Sequence, residues 1–131
     1  MALLVPNEGE AQMLAIILGK TPAETLNLKL YSNDVTPSET DTASTYTEVS
    51  GSGYAQVVFS PSDFTIVEGA PSIATPDAKT FSFTGAAGYI YGYYVVGETS
   101  GKVYWVERFP ATFNAQSYGD HIVMTTPLGL D

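Results

Sequence analysis

After Pro22, apolar and polar residues alternate through most of this chain, in short runs separated by Gly, Pro and Ser. In TLNLKLYS, residues 25–32, alternation predicts a strand with Leu26, Leu28 and Leu30 inward and Asn27, Lys29 and Tyr31 outward. KTFSFTG puts Phe81 and Phe83 on one face. TYTEVS and YAQVVFS flank GSG at 51–53, a hairpin signal. DFTIVEG and PSIAT are shorter runs, and 89–96, 102–109 and 121–126 complete the series. Eight or nine short strands punctuated in this way predict a mainly β fold, an antiparallel β-sandwich or jelly roll. With no internal repeat and no long linker, residues 1–131 are expected to form one domain with an N-terminal arm and helix.

Before Pro22 the period is helical. Asn7 with Glu10 three residues later has the form of a capping box, and Gly19 followed by Pro22 supplies a stop, which predicts a helix over about 7–19. Met13, Leu14, Ile16, Ile17 and Leu18 form its apolar stripe. That stripe is expected to be buried, either on the chain's own sheet or on a neighbouring subunit.

The run YIYGYYVVG holds four of the nine tyrosines between residues 89 and 94, and it is apolar on both faces. GETSG, 97–101, joins it to the next strand as a hairpin. With that loop taken as symmetric, Tyr93 falls opposite Trp105, Tyr91 opposite Glu107 and Tyr94 opposite Tyr104. One face collects Tyr89, Tyr91, Tyr93, Val95, Val103, Trp105 and Phe109 around Glu107, and is expected to be core. Glu107 there needs a hydroxyl or backbone donor, and Tyr91 is the nearest. The other face collects Ile90, Tyr94, Val96, Tyr104 and Val106, with Lys102 and Arg108 at its ends, a composition that suits a protein interface. Two readings stand for it. Either the N-terminal helix covers it within one chain, or Tyr94, Tyr104 and Arg108, with Leu14 and Ile17 of the helix, line a subunit contact.

Charge narrows the choice of partners. Five basic against fourteen acidic residues give a net charge of −9, which repels phosphate backbones and anionic lipid, so neither nucleic acid nor membrane is an expected partner. The chain has no cysteine, so disulfides and thiolate metal sites are excluded. MALLVPNEGE has no basic start and its apolar run stops at Pro6, which makes it a poor signal peptide. No run approaches the roughly 20 apolar residues of a spanning helix.

Catalytic chemistry finds no foothold. His121 is the single histidine and follows Asp120 at a strand start, the position of an exposed polar residue. No GxSxG elbow, paired-carboxylate cleft or Gly-rich phosphate loop is present. The acidic loop NDVTPSETDT, 33–42, offers Asp34, Glu39 and Asp41 to calcium, but its spacing is not that of an EF-hand and turn chemistry accounts for it. The expectation is a non-enzyme without catalytic residues, cofactor or metal.

Taken together, PNEGEAQML leading into a helix, LNLKLYSNDVTPSETDT, YTEVSGSGYA, TFSFTGAAG, IYGYYVVGETSGKVYWVERF and GDHIVMTTPLGL resemble small virion proteins of tailed bacteriophages and prophages. The resemblance spans nearly the whole chain and is most specific at LYSNDVTPSETDT and YGYYVV…WVERF. It implies a virion structural protein made in the host cytoplasm, and it carries no catalytic residues. The acidic charge disfavours the DNA-filled interior. A capsid decoration (cement) protein on the outer surface of the head is therefore the leading expectation, with the major capsid protein or its own copies, as a dimer or trimer, for partners. The alternative is a tail or fibre module that binds a host glycan, with tyrosines and Trp105 stacked on sugar rings and PATFNAQSYG, 110–119, as the polar loop. Whether Trp105 is core or exposed discriminates the two, and its two-sided apolar strand favours core.

Overall fold

The computed structural model describes residues 3–130. Helix α1 (Asn7–Ile17) precedes nine strands: β1 (Leu26–Tyr31), β2 (Val57–Phe59), β3 (Phe64–Val67), β4 (Ser72–Pro76), β5 (Lys79–Ser82), β6 (Gly88–Gly97), β7 (Val103–Ala115), β8 (His121–Met124) and β9 (Leu128–Leu130). A four-stranded sheet runs β2-β1-β6-β7, a three-stranded sheet β3-β4-β9, and β5 pairs with β8. Every pairing is antiparallel. The mainly β sandwich with one N-terminal helix, expected from the alternation, is the fold; β9 alone was not anticipated.

The main core lies on one face of the four-stranded sheet. Leu28, Leu30, Phe59, Ile90, Tyr93, Val95 and Trp105 meet Phe81 and Phe83, and Phe64, Ile122, Met124 and Leu128 of the smaller sheets pack against them. Trp105, 2 % exposed, sits among these side chains with the Phe64 ring edge-on at 6.5 Å.

The second face is covered from within the chain, though not by the helix. Leu4 lies antiparallel to Val106 through two 2.9 Å backbone hydrogen bonds, so the N-terminal arm extends the sheet beyond β7. The loop after β1 folds back over Tyr31, Tyr94, Val96, Val103 and Val106, bringing Val35, Ala43 and Tyr46. Asn33 shapes that loop, donating to Thr45 O at 2.9 Å and accepting from Thr47 N–H at 2.8 Å. Helix α1 instead lays Met13 and Ile16 against the main core. Gly9 is its point of closest approach: a Cβ there would meet the Val103 carbonyl.

Three local expectations are corrected. The helix cap is Pro6 and carries no side-chain hydrogen bond; Asn7 is already helical and its N–H donates to Glu39 O, so no capping box forms with Glu10. The stop is as anticipated, for Gly19 at φ 72° and Lys20 return hydrogen bonds to Ile16 O and Ala15 O. The GSG segment is not a hairpin. Glu48 pairs with Tyr31 and Val57 with Leu28, so both flanking runs lie along the same edge of β1 and residues 51–53 belong to an excursion between them. The β6–β7 register is displaced as well: Tyr93 pairs with Glu107, Tyr94 with Val106 and Val95 with Trp105. Irregularities at Val95/Val96 and at Ile90/Gly92 reverse the faces beyond them, which carries Tyr104 and Ile90 into the main core and Tyr91 and Val103 to the other side.

Candidate functional site

The residues expected to form a contact surface are divided by the fold. Tyr94 and Tyr104 are 3 % and 4 % exposed, so neither lies on the surface of this chain, and their reading as contact residues is corrected. Tyr94 stacks on Tyr46 at 5.2 Å beneath the folded-back loop. Arg108 reaches over the same layer, with its guanidinium 5.2 Å from the Tyr91 ring and 2.7 Å from Asp34 Oδ1. Because Asp34 is itself exposed, that pair contributes about 1 kcal/mol or less and serves mainly to hold the loop down.

Tyr104 belongs to a partly buried polar cluster that sequence reasoning missed. Its hydroxyl donates to Glu24 Oε2 at 2.6 Å, and Glu24 Oε1 accepts the backbone N–H groups of Thr99 and Ser100 at 2.8 and 2.9 Å. Gly97 leaves room for this carboxylate, since a Cβ there would collide with it. Burial pushes the Glu24 pKa up, but hydrogen bonds from Tyr104, Ser100 and Thr99 outweigh it and hold the pKa at about 2. The folded value lies below the ordinary 4.5, so the stabilisation is complete above 4.5 and is lost as pH falls towards about 2. Glu24→Gln is expected to cost about 1–2 kcal/mol at neutral pH and to flatten acid unfolding across that window. Thermal melts over a pH series check this; an unchanged acid slope would contradict the assignment. No sequence motif marks Glu24, whose donors lie about seventy-five residues away.

Leu14 and Ile17 face the other way. With Leu18 they are 60 %, 79 % and 68 % exposed on the outer side of α1, opposite the packed Met13 and Ile16. Of the two readings of the stripe, burial of all of it on the chain's own sheet is therefore corrected: within this chain it is only half covered. Further exposed apolar side chains stand on the β3-β4-β9 sheet, Val67 and Ile73 on one face and Ile66 and Leu130 on the other.

A cleft of about 500 Å³ opens between β7 and β8, lined chiefly by Tyr93, Glu107, Phe109, Phe113, Ile122 and Met124. It arises where Phe109–Thr112 leave register opposite Tyr91, between the Gly92/Arg108 and Ile90/Phe113 pairs. The Tyr93 hydroxyl donates to Glu107 Oε1 at 3.0 Å, so Tyr93 supplies the donor that Glu107 requires, in place of Tyr91. Burial, then the Glu107 charge, raises the Tyr93 pKa, which keeps the phenol a donor.

Two of the acidic loop's three carboxylates are engaged. Asp34 holds Arg108, and Asp41 accepts the Ser38 N–H at 2.8 Å and the Tyr46 hydroxyl at 2.7 Å. Among the described residues, no group of three or more His, Cys, Asp or Glu side chains is placed to hold a metal ion. His121 is exposed, with Nδ1 3.2 Å from Gly119 O. The Asp120 carboxylate accepts the backbone N–H groups of Gln116 and Ser117, as a turn residue does. Trp105, in the core, presents no face on which a sugar can stack. No described helix is long and apolar enough to cross a membrane.

Fold and surface thus place the chain in a class, the mainly β antiparallel sandwiches with an N-terminal helix. No family model, no curated protein and no solved structure matches it.

Proposed function

We propose that this chain is a virion structural protein of a tailed bacteriophage or prophage, a decoration (cement) protein that binds the outer surface of the head and stabilises it by bridging subunits. The observation that carries this reading is the uncovered half of α1, where Leu14, Ile17 and Leu18 stand exposed on a helix anchored by its other side. Contiguous exposed apolar side chains favour a protein contact. The exposed pair Val67 and Ile73 on one face of the β3-β4-β9 sheet lies on a different element, and a bridging protein needs two contacts. Charge supports the outer face over the DNA-filled interior: Lys29, Lys79, Lys102 and Arg108 are paired within the chain, and the net charge is −9. Binding only to assembled shells would stabilise them by mass action, without any catalytic step.

Leu14→Asp combined with Ile17→Asp tests the reading. Both side chains are exposed, so the folded chain should lose only about 1–2 kcal/mol, the cost of two aspartates near a helix C-terminus, and remain folded. Co-sedimentation with purified heads should fall by tenfold or more, as two charges enter an apolar contact at more than about 1.4 kcal/mol. Undiminished co-sedimentation would show that the helix is not the contact.

A further inference from the structure

The cleft between β7 and β8 runs along strand edges. Successive residues of a strand point to opposite faces, yet Ile122, Val123 and Met124 all line it, so it follows the edge of β8 and not one face. Among the described residues β8 pairs with β5 alone. β7 has β6 on one side and, among the described residues, only the Leu4 bridge at Val106 on the other. The open edge of β8 therefore borders an apolar cleft whose other wall is the Tyr93/Glu107 face of β6 and β7. Half-buried Glu107 stands at its wall with the Tyr93 hydroxyl as donor, while Lys29, Lys79, Lys102 and Arg108 are paired with Glu48, Asp63, Glu8 and Asp34. A carboxylate beside Phe109, Phe113, Ile122 and Met124 favours a cation with an apolar stem.

We propose that this cleft is a strand-insertion site for a partner polypeptide, an extended segment that carries a Lys or Arg between apolar residues. The segment pairs with the edge of β8, its apolar side chains fill the cleft, and its cation bonds Glu107. The net charge of −9 attracts a basic segment before contact. That the shell protein supplies the segment rests on the function proposed above; the chemistry of the site does not.

The test is fluorescence anisotropy of the full chain with a labelled pentapeptide, threonine and valine alternating around a central lysine. The comparison is the same peptide with norleucine at the centre. The lysine peptide should bind about tenfold or more tightly than the norleucine one. Glu107→Gln should bring the two to equal affinity; its amide oxygen still accepts the Tyr93 hydroxyl, so the variant folds. Met124→Trp, which fills the cleft, and N-methylation of alternate peptide nitrogens should each abolish binding. Equal affinity for both peptides, a lysine peptide indifferent to Glu107→Gln, or no binding of either at ~1 mM would overturn the proposal. Head co-sedimentation of the same variants separates the two ideas, because failed peptide binding with intact co-sedimentation removes the insertion site alone.

Discussion

Trp105→Ala is expected to unfold the isolated chain or bring it to the edge of unfolding. Truncating a fully buried tryptophan costs about 3–5 kcal/mol, against a total of roughly 5–15 kcal/mol for a domain of this size. The side chain joins the sheets: it stands on β7, packs in the main core and meets Phe64 at the start of β3. The loss belongs mainly to packing and cavity formation, since the side chain is fully buried among apolar neighbours. Tyr94→Ala should be costly as well, about 3 kcal/mol, since it empties the layer shared with Tyr31 and Tyr46. Denaturant melts of the two variants measure both losses. A Trp105→Ala protein as stable as the parent would contradict the described core.

Alkali should unfold the protein abruptly. Tyr31, Tyr46, Tyr54, Tyr93, Tyr94 and Tyr104 all have pKa values pushed up from 10.0, Tyr31 to about 12 and the others further. Burial is the first cause in every case, joined by Asp41 at Tyr46, Glu48 at Tyr54, Glu107 at Tyr93 and Glu24 at Tyr104. A folded pKa above the unfolded one means stability that is whole below pH 10 and lost as pH rises beyond it. Each such tyrosine contributes up to about 1.4 kcal/mol of loss per pH unit, and the six act together. The expected outcome is one cooperative transition at about pH 11, with tyrosinate absorbance rising in step with loss of circular dichroism. Ionisation of the buried tyrosines without loss of structure would contradict their burial.

Strand identity was legible because a period of two survives in short runs such as LNLKLY and KTFS, which became β1 and β5. Parity was legible too: Tyr93, Val95 and Trp105 share the core face as expected. Register was not, because the turn after Gly97 is asymmetric and Tyr104 is left over between the Val95/Trp105 and Val96/Val103 pairs. One unpaired residue turns a side chain through the sheet, and nothing in YVVGETSGKVYW marks which residue it is. That slip moved Tyr104 from an expected contact surface to the polar cluster around Glu24. The cover over Tyr94 was hidden for another reason. A loop read for its turn residues, 33–42, also brings Val35, and it leads into Ala43 and Tyr46, whose spacing follows no period. The stripe of α1 was legible as apolar, but which of its residues pack within the chain was not, and Leu14, Ile17 and Leu18 stand outside.

The central proposal, that this chain is a bridging protein of an outer shell, is tested most directly by cryo-electron microscopy of virus particles purified from cells that express it. The account predicts density for the sandwich on the outer face of the head, with Leu14, Ile17 and Leu18 of α1 against the shell. Particles that carry the chain in the tail or inside the head, or that lack it altogether, would contradict the account.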